Sequence, residues 1–596
     1  MAWYDEAVFY HIYPLGLAGA PKQNDYGEPV HRLNTLLPWV DHIKEIGGSA
    51  LYIGPLFESV GHGYETTDYK KLDSRLGTNE DLTAFVAYCH EQEIKVIFDG
   101  VFNHTGRDFF AFKDIQANRE NSHYKDWYCN VNFWGNNEYN DGFSYDNWGG
   151  YNLLVKLNQK NPAVVDYICD VIRFWVSEFD VDGIRLDAAD VLDFDFMKAL
   201  RRTANEVKPD FWLMGEVIHG DYSRWVNGET LHSVTNYTLH KALYSGHNDH
   251  NYFEIAHTVR RLQNMGTLKL YNFVDNHDVE RIYTKLTNKA HFAPVHVLLY
   301  TLPGVPSIYY GSEFGIEGRK EYGSDDSLRP ALNIEDYKDS VKTNPCTALI
   351  AALGKVRQAV PALSYGSYDE LMLTNRQFAY ARDLDGTRVI VSVNNDDAPA
   401  GMHLAAGNCT AYIGALSGEK VSVQDGHINI TQPANSGEIW VPEVTDLDVK
   451  PVKVVTKTDS EAKTNTEDKA ASETATDAKG NKEAEPKIES KGIVTATESA
   501  DAKKNTTDIE KNTTAANEVK DSAKDASAQA AADTPVDPET ITVDWSKSPE
   551  SMTVPELQAA ILAKLAGNGP VDAQMKKTVV DNIWHDSLVN WLKSFR

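Results

Sequence analysis

Long apolar runs, paired cysteines and an excess of positive charge are all missing from this chain of 596 residues. No stretch of about 18 or more apolar residues occurs, which excludes a membrane-spanning helix. The five cysteines, Cys89, Cys129, Cys169, Cys346 and Cys409, are odd in number, widely scattered and without a CxxC pair. That pattern argues against a disulfide framework and a zinc site and suits a reducing compartment, so the cytoplasm is expected. Against 86 Asp and Glu stand 58 Lys and Arg, a formal charge of −28. A chain so acidic offers no counter-charge to nucleic acid or an anionic membrane, and neither is an expected partner. The N-terminal segment, MAWYDEAVFYHIYPLGL, lacks the basic flank and apolar stretch of a secretory signal.

Aromatic residues are plentiful up to Trp440 and then absent until Trp545. The stretch between is mostly Lys, Glu, Asp, Thr, Ala and Ser, as in TDSEAKTNTEDKAASETATDAKGNKEAEPK. It cannot bury enough apolar surface to offset a backbone ordering cost of roughly 1–2 kcal/mol per residue. Residues 444–545 are therefore expected to be a disordered linker. Beyond them Val554, Leu557, Ile561, Leu562 and Leu565 recur at helical spacing, as do Val579, Val580, Ile583, Leu588, Trp591 and Leu592. A small helical module over 546–596 is the expectation, tethered for a protein or glucan partner.

The length allows two to four domains, and the first 443 residues divide again. Residues 366–443 carry short alternating runs such as FAYAR, RVIVSVNN, CTAYIG and EIWVP, separated by DLDG, NNDD and NSGE. These predict a small antiparallel β-sandwich with tight turns. Before it, β-like runs at 8–14, 50–54, 95–101, 182–187, 211–217, 233–237, 270–275 and 305–311 alternate with amphipathic stretches such as PAVVDYICDVIRFWVSEF. Eight strands, each followed by a helix, predict an α/β fold over 1–365: a closed (β/α)8 TIM barrel. An open doubly wound sheet is the alternative, but no GxGxxG follows the first strand. The third connection, about 105–161, is long and rich in aromatics, and is predicted to be an inserted subdomain. Its Trp127, Trp134, Tyr145, Trp148 and Tyr151 would suit sugar stacking, but most are read as the insert's own core.

In such barrels the chemistry sits at the C-terminal ends of the strands. Those ends supply Asp99, Asn103 and His104 after the third strand, Arg185 and Asp187 at the fourth, Glu216 at the fifth, and Asn276, His277 and Asp278 at the seventh. One Asp at a strand end is ordinarily a cap or turn residue. Several converging there, with an Arg two positions before an Asp on the same strand face, are not explained by capping.

The segments DGVFNHTG (99–106), DGIRLDAAD (182–190), GEV (215–217) and FVDNHD (273–278) resemble, in order, the four signature segments of the alpha-amylase superfamily of glycoside hydrolases. HGYETTDY (62–69) and GVPSIYYGSEFG (304–315) resemble two further segments of that family. LVKLN (154–158) is similar to the segment typical of neopullulanases, cyclomaltodextrinases and maltogenic amylases. The resemblance spans about residues 5–443.

It implies a retaining hydrolase of α-1,4-glucosidic bonds in maltodextrins, cyclodextrins or starch-derived oligosaccharides, working through a covalent glycosyl-enzyme. Asp187 would be the nucleophile, Glu216 the acid and then the base, and Asp278 the third carboxylate. Tyr64, His62, His104, His277 and Arg185 would contact or orient the substrate, with Asp99 either touching it or serving the architecture. The mechanism needs no metal, although many relatives hold a structural calcium through the Asn at position 103; Asn103, Asp141 and Asp146 are the candidate oxygen ligands here. The N-terminal β-domain common among those enzymes is not expected, since the first strand begins within ten residues of the start. FVDNHD is as similar to ordinary α-amylases, so an open-cleft α-amylase or a transglycosylase stays as the alternative. A catalytically silent glucan-binding scaffold is the remote one, because all three carboxylates are present.

Overall fold

A computed structural model describes residues 2–321, 324–444, 543, 547–548, 552–566 and 592. The expected linker lies, apart from its ends, outside the described residues, as do Val579, Val580, Ile583, Leu588 and Trp591. The chain falls into two units, Met1–Lys482 and Glu483–Arg596.

The predicted barrel is present. Its strands are β1 (Phe9–Ile12), β2 (Ala50–Ile53), β3 (Lys95–Gly100), β4 (Gly183–Leu186), β5 (Trp212–Gly215), β6 (Ser233–Val234), β7 (Tyr271–Asn272) and β8 (Val305–Tyr309). They pair in parallel in the order β6-β5-β4-β3-β2-β1-β8-β7. A parallel bridge between Thr235 and Tyr271 and the Asn236 N–H to Tyr271 carbonyl bond (2.9 Å) close the cylinder. The strands read as continuous apolar runs because both faces are covered. Phe9, Ala50, Tyr52, Ile97, Trp212, Met214, Tyr271 and Val305 fill the interior. Gly183 has no side chain because Trp212 fills its place: a Cβ there would meet the Trp212 carbonyl at 2.5 Å.

The helices form the outer layer, and α1 (Pro162–Phe179), the longest among the described residues, shows why. Asn161 caps its first turn by accepting from the Ala163 N–H, Pro162 opens it, and Asp180 ends it in the left-handed region. Val164, Ile168, Val171, Ile172, Trp175 and Phe179 make the buried stripe. Trp175 stacks on Phe57 at 4.4 Å, in a hairpin (Phe57–Ser59 with Thr66–Leu72) that sequence reasoning missed. The insert holds a small antiparallel sheet of His104–Thr105, Tyr151–Lys156 and Asn147–Trp148.

The C-terminal domain is a sandwich of a six-stranded and a two-stranded antiparallel sheet around Ala379, Ile390, Met402, Leu404, Tyr412, Ile428, Ile430 and Trp440. Between it and the barrel lies α2 (Phe292–Thr301), buried on every side, which explains a sequence apolar all round apart from His296 and Thr301. Arg382 and Arg357 cap its end through the carbonyls of Thr301 (2.6 Å) and Tyr300 (2.8 Å). In the second unit, Val554–Ala566 is a helix packed with Met552 and Leu592.

His247, His291 and His296 are fully buried about this junction, each bonded to a backbone carbonyl. Burial pushes their pKa values down to about 3, 4 and 4. The unfolded chain, with histidine near 6.5, binds protons that the folded one refuses. Stability is therefore intact above about pH 6.5 and lost as pH falls toward 4. Three such groups cost about 4 kcal/mol one pH unit below 6.5. Calorimetry at pH 7.5 and 5.5 should show a large drop in Tm that His296→Leu reduces; equal Tm values would refute the assignment.

Candidate active site

Strands β3, β4 and β5 stand side by side, and their register decides what meets at the mouth. Asp99 pairs with Arg185, and Arg185 with Met214. Alternation along β4 puts Arg185 and Asp187 on the inward face with Gly183. The Arg185 Nη1 donates to Asp99 Oδ1 (2.8 Å) and Asp187 Oδ1 (3.0 Å), and its Nη2 lies 2.8 Å from Glu216 Oε2. Three carboxyl groups thus share one buried guanidinium, and Asp187 and Glu216 sit one guanidinium's width apart. Ala188, held at φ 46°, turns its N–H onto Glu216 Oε2 (3.1 Å), while the Tyr237 hydroxyl donates to Oε1 (3.3 Å).

Burial pushes both the Asp187 and Glu216 carboxyls above the usual range; Arg185 opposes this, and neighbouring carboxylates add to it. The two titrate as a pair that holds on to a proton. Burial would raise Asp278 as well, but positive charge from His277, Arg329 and Arg185 wins and holds it below the ordinary carboxylate range. His277 is itself kept neutral by burial, its pKa pushed down to about 3, so at neutral pH the permanent charges of the two arginines do this work. Arg329 reaches Asp278 Oδ1 at 2.9 Å and the His277 carbonyl at 3.0 Å.

The other expected residues ring this centre. The Tyr64 hydroxyl reaches both Asp99 Oδ2 (3.2 Å) and His277 Nε2, and its ring stacks parallel to that imidazole at 5.7 Å. His277 Nδ1 has no partner and Nε2 faces Asp278 (3.1 Å), which places the proton on Nε2. His104 Nε2 donates to the Tyr64 carbonyl (3.1 Å), and burial lowers its pKa to about 4. His62 sits at the rim, 3.2 Å from Glu65. Between it and Tyr64, Gly63 holds φ 101°, where a Cβ would strike Pro55 at 2.2 Å. Asp99 has both oxygens occupied, by Arg185 and by Tyr52 (2.8 Å) with Tyr64. It stands under the mouth, holding Arg185.

Sequence reasoning missed Arg329, Tyr52 and Tyr237, and also Asp325, which accepts from the Arg329 guanidinium (3.0 Å). Arg329 lies 51 positions from Asp278 in a loop without periodicity, and nothing local marks it. The three residues expected as calcium ligands are engaged by protein groups, Asp146 Oδ2 accepting from the Asn130 amide (2.8 Å). Both Asp141 oxygens are clasped by the Arg107 guanidinium (2.7 and 2.8 Å), and Asn103 bonds to His104 and Gln159. A hard cation takes oxygen ligands, and a guanidinium beside it repels it. Among the described residues, no group of three or more His, Cys, Asp or Glu converges to hold a metal.

A closed barrel whose mouth sets two carboxyl groups across one guanidinium, with a third carboxylate beside aromatic and imidazole rings, has the paired carboxyl groups that glycoside hydrolysis uses. Residues 31–355 match the alpha amylase catalytic domain. A cyclomaltodextrinase from Bacillus sp is 31% identical over 422 residues, 67% of this chain and 74% of that protein. Neopullulanase 2 of Thermoactinomyces vulgaris is 29% identical over 74% of this chain and 78% of its own length. A solved cyclomaltodextrinase superposes with a TM-score of 0.66 at 26% identity, over 74% of this chain and 78% of that one. The chain belongs to the alpha-amylase family. Among the described residues no helix is long and apolar enough to cross a membrane.

Proposed function

We propose that this enzyme cleaves α-1,4-glucosidic bonds of cyclodextrins and maltodextrins with retention, Asp187 acting as nucleophile and Glu216 as acid and base. The carrying observation is Arg185, which grips both carboxyl groups at once. Retention requires the two about 5–5.5 Å apart, close enough for direct attack. In the first step an Asp187 oxygen bonds to the sugar C1, the C1–O bond breaks, and the Glu216 proton passes to the leaving oxygen. In the second, Glu216 takes a proton from water, whose oxygen bonds to C1 and releases Asp187. The first step needs the proton on Glu216, whose carboxyl burial raises, and Arg185, bonded to Asp187 Oδ1, opposes the burial that raises the nucleophile's own carboxyl. Asp278, held ionised by Arg329, would bind the sugar hydroxyls and favour the oxocarbenium-like ring. His277, His104, His62 and Tyr64 would line that sugar.

We assign no metal to the reaction or to the insert, where Arg107 supplies the positive charge beside Asp141. The five cysteines are unpaired, which supports the cytoplasm. The C-terminal helix is the place for a protein or glucan partner, which a chain ending at Val444 would lose.

The names of the relatives support the cyclodextrin reading, which a product profile with and without a chelator tests. Fast opening of a cyclodextrin and panose from pullulan, unchanged by the chelator, are expected. Random-length fragments from starch with slow ring opening would favour an open-cleft α-amylase. Chelator-sensitive rates would overturn the metal-free reading.

A further inference from the structure

The insert's aromatics mostly serve its own packing, as expected. Tyr145 packs against Phe112 at 5.0 Å and donates to the Asn152 carbonyl. Trp127 packs on Tyr124 and Tyr167. Trp148 lies 6.1 Å from His104, toward the mouth. Trp134 does none of this: it is 98% exposed.

That exposure does not come from a loose segment. The Trp134 N–H donates to Asn132 Oδ1 (3.0 Å) and the Gly135 N–H to the Asn132 carbonyl (3.1 Å). Asn132 in turn pairs with Ser144 through two backbone bonds of 2.8 and 2.9 Å. A Cβ on Gly135 would meet Ser144 Oγ at 2.3 Å, so the turn is pressed onto its neighbour. A large apolar ring is thus held on a fixed turn without being packed.

The residue before it, Phe133, walls a hollow of about 280 Å³ together with Lys125, Asp126, Tyr128, Asn130, Val131 and Asn158, with Trp134 next to that lining in the chain and not part of it. This hollow is not the mouth. His104 faces the mouth, whereas the next residue, Thr105, points the other way and bonds the Tyr128 hydroxyl (2.9 Å). The size is just under that of small-molecule sites, which begin near 300 Å³. The charges of Lys125 and Asp126 offset each other, and the remaining polar groups are amides and a phenol. Such a lining suits a neutral polyhydroxyl ligand better than an anion or a cation. The partly apolar face of a pyranose would stack on the indole.

We propose that the Phe133–Trp134 turn and the adjoining hollow form a second α-glucan site, which holds a stretch of chain remote from the bond being cut. The proposal rests on the α-glucan reading above and adds a site to it. Maltoheptaose titrated into the full chain carrying Asp187→Asn, which binds without turnover, should give two binding events. Adding Trp134→Ala should remove one of them, and Trp134→Phe should weaken it less. In the active enzyme Trp134→Ala should raise KM for soluble starch about five- to tenfold, the worth of one stacked ring. Its kcat/KM on maltotriose should be unchanged. Two events that persist without the indole, or an unchanged starch KM, would overturn the second site. Loss of the Trp134-independent event alone would count against the catalytic reading and leave this one standing.

Discussion

Asp187→Asn should lower kcat by at least about 10⁴-fold while the protein melts at or slightly above the wild-type temperature. The carboxamide has the same shape and can still accept from Arg185, so packing is preserved. It cannot form the glycosyl ester, and a missing nucleophile removes the two-step route altogether. The stability forecast follows from the same geometry. Burial pushes the Asp187 carboxyl up, and Glu216, Asp99 and Asp278 push it further. A neutral side chain removes that repulsion, a gain of about 1 kcal/mol. Activity within tenfold of wild type would refute the nucleophile, and a collapsed Tm would show that the carboxylate is structural.

Arg185→Met should have the largest effect on stability. Three buried carboxyl groups, Asp99, Asp187 and Glu216, lose the cation they share. Breaking a buried charge network by removing one partner costs about 3–5 kcal/mol, a large part of the usual 5–15 kcal/mol margin. The pH dependence is the diagnostic feature. Without the guanidinium the folded-state carboxyl pKa values rise well above their unfolded value near 4. The folded state then binds more protons, so stability is greatest below that value and falls as pH climbs through the raised one. The variant should lose less on acidification than the wild type, whose buried histidines are costly in acid. Arg185→Lys should rescue little, because one ammonium cannot span two carboxyl groups as a fork does. A variant as stable as wild type at pH 7 would refute the network.

Much of this was legible in the chain, and the reason is burial. Strands β1 to β5 and β8 stand out because both faces are covered and their residues are almost all apolar. The strand ends stand out for the opposite reason: Asp99, Arg185, Asp187 and Glu216 interrupt apolar runs where no turn requires them. β6 and β7 were found as segments although only two residues of each pair as strand, since Val234 and Tyr271 are buried. The hairpin Thr66–Leu72 escaped because Asp68, Lys70 and Lys71 break the alternation and read as loop. In the sandwich, Ser367–Leu373 and Lys420–Ser422 escaped for a like reason, their side chains being exposed or half-buried. Long-range pairs left no trace. Asp141 looked like a calcium ligand because nothing near it in sequence announces Arg107, 34 positions away. Arg329 was hidden likewise, although with Arg185 it holds Asp278 below the ordinary carboxylate range.

The central claim is that Asp187 and Glu216 act in turn on one sugar, and the anomer first released reports on it most directly. Proton NMR of the earliest turnovers, before mutarotation, should show the new reducing end in the α configuration, the outcome of two successive displacements at C1. A β anomer at the first time points would mean that water attacks in a single step, and would contradict the covalent role of Asp187.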